Sequence, residues 1–401
     1  RAARRRARGL RALAAGMVAV AAGDTKGARK FARRAALAEG DTPLTLLLGA
    51  QAAQLEGDDR AAEKYFTEML ARPETEFLGL RGLVVQAQRA HDPARALAHA
   101  ARAAKLRPDA GWAHATVFDL SVRARAWTRA EEALVAAIRR GGIDRAEGAR
   151  HRATLLLMQS SEGEAAGFAI EALNLARRAL RADGSSVPAA LIRSRLEAAA
   201  GNGRRARRVL ERAWEASAHP EIAAAYLGLA TGEGEALTVD RLRRAVKLLD
   251  IAPDAAEAHL LAGEAALDAR LWGKARKHLD DAEACFAAAD GESGARPARY
   301  FRLRARQAED EAGDHRAAAR WLAEAAGASP DPRWVCLACA APVAEWTGLC
   351  PSCGGFDTLE WRIPAPLAAL APRRVRASGP VAALGISPPP DSGFALKPDS
   401  A

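Results

Sequence analysis

Small residues recur along the chain at a fixed interval of 34 positions, inside stretches whose apolar residues follow helical spacing. The stretches that start at Gly23, Gly57 and His91 each open with a turn residue followed by Asp, and each has Ala five positions after its start. The alanines that recur at this interval are Ala28, Ala62, Ala96 and Ala130. Ala172 and Ala206 follow after a longer interval, and weaker units contain Ala245, Ala275 and Ala318. The regular interval indicates one structural unit used repeatedly.

A pair of helices explains this period best. A small residue is needed where two helix backbones approach closely, and the Asp after the turn residue suits the N-cap of the second helix. Prolines stand at or near the expected turns between repeats, where a missing N–H is tolerated; they are Pro43, Pro108, Pro188, Pro220 and Pro253. The pattern predicts an all-α solenoid of helical hairpins over residues 12–328.

These features resemble the tetratricopeptide repeat, most strongly in the first four units. The resemblance implies a right-handed superhelix whose concave face binds peptides or protein partners. A generic helical bundle is the alternative that the period makes less favourable.

Composition agrees with a helical protein and excludes an all-β fold, because aromatic residues are only 5% and the chain is rich in Ala, Leu, Arg and Glu. The 59 basic against 49 acidic residues give a net charge of +10, which invites a nucleic-acid interpretation. The basic residues are interspersed with acids, as in Arg129 followed by Glu131 and Glu132. We therefore interpret them as solvated helix faces and do not expect nucleic acid as a partner. The chain has no run of 18 apolar residues.

A cysteine cluster follows the point where the repeat pattern breaks, at Ser329–Pro332. Two Cys-x-x-Cys pairs are separated by ten residues, and the predicted ligands are Cys336, Cys339, Cys350 and Cys353. Four thiolates arranged in this way suit tetrahedral zinc, with iron as the alternative, in a zinc ribbon or rubredoxin-like knuckle over residues 332–363. Four protein ligands leave no open position, so the metal is expected to be structural. The aromatic residues nearby are expected to pack around the knuckles; they are Trp334, Trp346, Phe356 and Trp361.

No catalytic motif is present, and we predict no catalytic residue, no other cofactor-binding residue and no enzymatic activity. The eight histidines are scattered, and we interpret them as solvated or capping residues. Cys285 stands alone in an Ala-rich helix and is expected to be a buried apolar residue.

The two ends differ from the repeats. Six arginines in residues 1–11 suggest either a nucleic-acid arm or, preferably, the basic juxtamembrane segment that follows a membrane helix on the cytoplasmic side. The first residue is Arg1, not Met, so we expect the membrane tether to be missing from this sequence. Eight prolines in residues 364–401 predict a disordered tail.

The combination resembles the HemY family of proteobacterial inner-membrane proteins over residues 4–362. The segments that carry the resemblance are RGLRALAAGMVAVAAGD, DTPLTLLLGAQAAQLEGD, PETEFLGLRGL, ARLWGKARKHL and PDPRWVCLACAAPVAEWTGLCPSCGGFDTLEW. It implies a cytoplasmic repeat region tethered to the bacterial inner membrane, acting in late haem biosynthesis as a scaffold for protein clients, with tetrapyrrole-synthesis enzymes as candidate clients.

LapB, an adaptor in lipopolysaccharide regulation, shares the terminal cysteine motif and is the alternative. An RNA-binding repeat protein is a third hypothesis, which the interspersed acids make less favourable. For the tethered scaffold, the ribbon is expected to cap or dock against the last repeats and to shield their apolar end.

Overall fold

The computed structural model describes residues 2–289 and 296–364, which fall into two compact units divided after Asp144. The first unit contains α1 (Ala2–Ala21), α2 (Thr25–Glu39), α3 (Pro43–Glu56), α4 (Asp59–Met69), α5 (Pro73–Arg89), α6 (Pro93–Leu106), α7 (Gly111–Arg123) and α8 (Trp127–Arg139). The second contains α9 (Arg145–Ala165), α10 (Ala169–Ala182), α11 (Val187–Ala199), α12 (Gly203–Ala216), α13 (Pro220–Gly228), α14 (Gly234–Ile251), α15 (Ala256–Asp268), α16 (Trp272–Ala288), α17 (Ala298–Ala312) and α18 (His315–Gly327).

Consecutive helices pack in pairs, so that each odd-numbered helix is the first helix of a hairpin and the next is its second helix. The periodic alanines lie on the second helices, and eight of them are completely buried: Ala28, Ala62, Ala96, Ala130, Ala172, Ala206, Ala245 and Ala275. A methyl group at these positions is what permits the close approach of the neighbouring helix. The predicted fold of tetratricopeptide-like hairpins is confirmed.

The Asp residues of the repeat pattern are helix caps. The side chains of Asp24, Asp58, Asp92 and Asp314 each accept a hydrogen bond from a backbone N–H in the first turn of a second helix. Gly57, just before one of them, has φ +79° and ends the preceding helix in the left-handed region. These local signals explain why the turn positions could be located from the sequence.

Many arginines pair with acidic residues of another helix about one repeat away. Such pairs join Arg29 to Glu56, Arg95 to Glu63, Arg102 to Glu76, Arg195 to Glu164 and Arg276 to Glu311. The partners in these pairs are partly solvent-exposed, so each contributes modestly to stability. Their main consequence is that the positive charges of these five arginines are neutralised by neighbouring acidic side chains.

The described part of the second unit closes with a three-stranded antiparallel sheet with strand order β2-β1-β3, formed by β1 (Arg333–Cys336), β2 (Pro342–Val343) and β3 (Leu359–Arg362). The connection from α18 is held against α17, because Asp331 accepts a hydrogen bond from the Arg299 backbone N–H at 2.8 Å. Of the Pro-rich tail predicted for residues 364–401, all but Pro364 lies outside the described residues. Within the described ranges, no helix has both the length and the apolar character required to span a bilayer.

Candidate metal centre

The four cysteine sulfurs converge at one end of the small sheet. All four lie within 4.8 Å of one another, and the Sγ atoms are 3.7 Å apart both between Cys336 and Cys353 and between Cys339 and Cys350. Cys336 and Cys350 are buried, whereas Cys339 and Cys353 are exposed. A cluster of four sulfurs matches the donor set of a tetrahedral zinc or iron site, so the arrangement can bind a metal ion.

The two Cys-x-x-Cys turns have the same backbone geometry. The N–H of Ala340 donates to the carbonyl oxygen of Cys336 at 2.8 Å, and the N–H of Gly354 donates to that of Cys350 at 2.8 Å. Both donors are in the left-handed region, with φ +59° at Ala340 and +70° at Gly354. Because this region favours glycine, the first turn is built from the less suitable residue.

The surroundings separate the pKa values of the thiols. Burial opposes ionisation of Cys336, but hydrogen bonds from the Thr358 hydroxyl and from backbone N–H groups outweigh it and lower the pKa of this thiol to about 6. Burial, together with the neighbouring sulfurs, raises the pKa of Cys339 to about 12. A second thiolate beside the first is therefore unfavourable unless a cation compensates the charge. This is the electrostatic condition in which a divalent ion binds strongly.

The sheet and its cysteine turns, residues 332–363, are here called the ribbon, and one side of the ribbon contacts α9. Asp357 accepts hydrogen bonds from His151 Nδ1 at 2.8 Å and from the Thr154 hydroxyl at 2.7 Å. Gly348 lies so close to α9 that a Cβ atom there would be 2.5 Å from the Met158 sulfur. His151, Thr154 and Met158 are three to four residues apart along α9, so they form one face of the helix.

Trp346 extends this contact into the repeat core. It packs against a cluster of buried residues contributed by α9, α10 and α11: Ala153, Leu156, Leu157, Leu175, Ala179 and Ala189. The ribbon thus shares apolar core with three repeat helices.

A second contact joins the ribbon to the start of α13. The Trp334 indole N–H donates to Glu221 Oε1 at 2.9 Å, and the His219 ring centroid is 4.4 Å from that of Trp361. His219 is also the N-cap of α13, since its Nδ1 accepts from the Glu221 backbone N–H at 3.2 Å. Burial lowers the pKa of His219 to about 4 and raises the pKa of Glu221. We call the contacts with α9–α11 and α13 the ribbon–repeat interface.

The position of this interface differs from the expectation of a cap over the last repeats. The ribbon lies on α9 and α13, the first helices of earlier hairpins, while Leu322 on α18 remains 53% exposed. Each of the four aromatic residues of the ribbon contacts a repeat residue, so these side chains contribute to the interface.

Comparison with known proteins supports part of the family resemblance. The family described as HemY protein N-terminus matches residues 1–57, which comprise α1 to α3 and the turn that follows. The HemY resemblance is confirmed for this segment. The probable magnetosome protein Mms48 of Magnetospirillum gryphiswaldense is 34% identical over 245 residues, and the match covers 61% of this chain and 52% of the relative. The chain therefore spans about half the length of that relative.

Solved structures with helical repeats resemble the chain only loosely. One is described as Naa15/Naa10 bound to HypK-THB, with TM-score 0.35, 11% identity, and coverage of 80% of this chain and 63% of that chain. Another is yeast Tom70, with TM-score 0.32, 15% identity, and coverage of 78% and 76%.

Sequence patterns located the four cysteines but not the residues that dock the ribbon. His151 and His219 looked like scattered histidines because their ribbon partners are more than a hundred residues away in the chain. Cys285, expected to be buried, is partly exposed and lines a cavity of about 570 Å³ between the ribbon and the helices α15 to α17. Only a three-dimensional arrangement reveals such contacts.

Proposed function

We propose that this protein is a non-enzymatic, membrane-tethered scaffold that acts in late haem biosynthesis by binding protein clients. The observation that carries the proposal is the HemY match over residues 1–57, because the matched segment is part of the folded repeat array. Hairpin arrays present extended surfaces and bind other proteins without chemical change, which suits an adaptor.

We assign a structural zinc ion to Cys336, Cys339, Cys350 and Cys353. The support for zinc is the four-sulfur donor set, which fills a tetrahedral coordination sphere and leaves no position for a substrate. The role of the ion is to hold the ribbon in the shape that docks on α9 and α13. Iron is the alternative occupant, and metal analysis of the purified protein distinguishes the two.

The location we propose is the inner membrane, with the repeats on the cytoplasmic side. The support is the arginine-rich start of α1, where Arg4, Arg5, Arg6 and Arg8 are exposed. Clustered arginines beside a bilayer are attracted to anionic lipid headgroups and favour the cytoplasmic side. Nucleic acid is the less favourable partner, because many arginines of the repeats are paired with acids.

Clients are assigned to the first helices of residues 2–144, because the ribbon already occupies α9 and α13. On α5 and α7 the rings of Phe77 and Trp112 are 5.5 Å apart, and the Arg81 guanidinium lies over Trp112 at 5.2 Å. These three side chains are only partly buried. Aromatic residues and arginine are the types that most often dominate the energy of protein interfaces.

The porphyrin profile of a strain lacking the gene tests this function. Late intermediates should accumulate, and the full-length gene should restore the normal profile. A gene carrying Arg81→Glu should fail to restore it although the protein is stably produced, whereas Arg123→Glu, an exposed arginine at the end of α7, should restore it. A normal profile in the deletion strain contradicts the haem assignment.

A second candidate is an adaptor that regulates lipopolysaccharide assembly, as LapB does. The observation that favours it is the four-cysteine ribbon packed on the repeats. The same deletion strain decides between the two, because altered lipopolysaccharide with a normal porphyrin profile supports the second candidate.

A further inference from the structure

We propose that α15 and α16 carry a second metal site, formed by His259, His278 and Asp281, for a divalent first-row transition ion such as zinc. One ligand atom from each residue lies within 4.8 Å of the other two. The site belongs to the hairpin itself and uses none of the ribbon cysteines. It goes beyond the scaffold function proposed above and does not depend on it.

The helices position the three side chains from two directions. His278 and Asp281 are three residues apart on α16, so they project from the same face of that helix. His259 faces them from α15, with 5.9 Å between the two imidazole centroids and 3.8 Å between its Nδ1 and Asp281 Oδ2. Ligands separated by one helical turn and opposed by a ligand from the neighbouring helix are a common way to build metal sites between helices.

The hydrogen bonding of His259 leaves one nitrogen free to bind a metal. Its Nε2 is 2.8 Å from the carbonyl oxygen of Pro253, and because a carbonyl only accepts, Nε2 carries the proton. Nδ1 therefore has an available lone pair, yet it is buried without a hydrogen-bond partner, as is His278 Nδ1. Unsatisfied buried nitrogens are costly, and a metal-ligating histidine typically donates its other N–H to a backbone carbonyl in this way.

Another repeat of the same chain has the corresponding histidine without the other two ligands, and the comparison distinguishes metal binding from a purely structural role of the histidine. Residues 108–114, PDAGWAH, correspond to residues 253–259, PDAAEAH, and His114 Nε2 contacts the Pro108 carbonyl at 3.1 Å. Nineteen positions after the histidine, the repeat of His114 has Ala133 where the repeat of His259 has His278. Three positions later, the repeat of His114 has Ala136 where the repeat of His259 has Asp281. The bond to the proline carbonyl accounts for His114 and His259 alike, but it does not account for the two ligands added on α16.

The donor set selects the class of ion. Two imidazoles and one carboxylate suit zinc and its neighbours in the first transition row, and they leave a coordination position for water or for an incoming ligand.

Zinc binding by the full 401-residue protein tests the site. Equilibrium dialysis with metal analysis should give two zinc ions per wild-type chain, the ribbon ion and a weaker one. Asp281→Asn and His278→Ala should each weaken the second ion by more than about 100-fold, since even outer-shell partners change metal affinity by about 10–100-fold. His114→Ala should retain both ions, and Cys350→Ser should retain the second.

Two further measurements test the second metal site if a variant folds poorly. The Asp281→Asn change keeps the size of a partly exposed side chain, so an unchanged helical circular dichroism spectrum with loss of one zinc supports the site. The X-ray absorption spectrum of zinc-loaded Cys350→Ser protein, minus that of zinc-loaded Cys350→Ser, Asp281→Asn protein, should show nitrogen and oxygen ligands only. A wild-type protein that binds one zinc ion, or a second ion that survives both Asp281→Asn and His278→Ala, overturns the proposal.

Discussion

Asp357 Oδ2 lies 2.8 Å from His151 Nδ1 and so joins the ribbon to a helix that begins more than two hundred residues earlier in the chain. Asp357 has φ +53°, in the left-handed region that Asp adopts more readily than most residues with a side chain. The carboxylate receives a second hydrogen bond from Thr154. This polar contact fixes the register of docking, while the partly buried Trp346 supplies apolar area.

Asp357→Asn should weaken docking of the ribbon by about 1–2 kcal/mol, because hydrogen bonds to a charged group are replaced by neutral ones. Hydrogen exchange of α9 amides should accelerate, and the zinc content should remain that of the wild type. Glu360→Gln is the matched control, because Glu360 is an exposed acid of β3. Equal acceleration in both variants would contradict the role given to Asp357.

Loss of the ribbon metal should destabilise the repeats as well as the ribbon. Cys350→Ser is expected to abolish metal binding there and to release Trp346 from the core of α9–α11. The stability of this segment should fall by about 1–3 kcal/mol, which is less than the cost of deleting a fully buried aromatic side chain because Trp346 is only partly buried. Hydrogen exchange resolved by segment measures it, with Cys285→Ala as the control cysteine. Unchanged exchange in α9 with no metal bound would disprove the coupling.

The two cysteine turns predict opposite effects of exchanging Ala and Gly. Ala340→Gly should stabilise the ribbon by about 1 kcal/mol, because Ala340 occupies the left-handed region that glycine adopts without steric cost. Gly354→Ala should destabilise it by a similar amount. Because metal binding and folding of such small units are coupled, the changes should appear as about fivefold tighter and fivefold weaker zinc binding in a chelator competition. Changes of the same sign in both variants would rule out this explanation.

The repeat fold could be predicted because its signals are local. A turn residue, the Asp cap and an alanine four positions after that Asp lie within six residues, as in the segment from Gly23 to Ala28, and each acts within one hairpin. The four cysteines are similarly close in the chain, so their spacing alone predicted the cluster. In both cases a short segment contains the information that determines its own structure.

The docking of the ribbon could not be predicted, because it depends on pairs of residues separated by much of the chain. Glu221 and Trp334 are an ordinary helical acid and an ordinary strand aromatic until the fold brings them to 2.9 Å. His259 and His278 are closer in sequence, but only the crossing of α15 and α16 places them together. A periodic pattern specifies which helices pair, and it leaves open which polar side chains meet between them.

The stability of the ribbon–repeat interface should fall in mild acid because of His219. Burial lowers the pKa of this imidazole from 6.5 to about 4, so the folded protein keeps it neutral where the unfolded chain binds a proton. The unfolded chain therefore takes up the proton first as the pH falls. The contribution of His219 is complete above pH 6.5 and is lost progressively down to about pH 4, by roughly 3 kcal/mol in total.

Tryptophan fluorescence, to which Trp334 and Trp361 beside His219 contribute, can be used to follow urea unfolding across this range of pH. His219→Asn is the informative variant, because Asn is also a good N-cap but does not titrate. Burial raises the pKa of Glu221, and its protonation on folding acts in the opposite direction at the acidic end. The difference in the free energy of unfolding between wild type and His219→Asn cancels the contribution of Glu221, which both proteins share. This difference should still decrease as the pH falls from 6.5 to about 4. If the difference in the free energy of unfolding did not change with pH, the imidazole would not be held neutral at the interface.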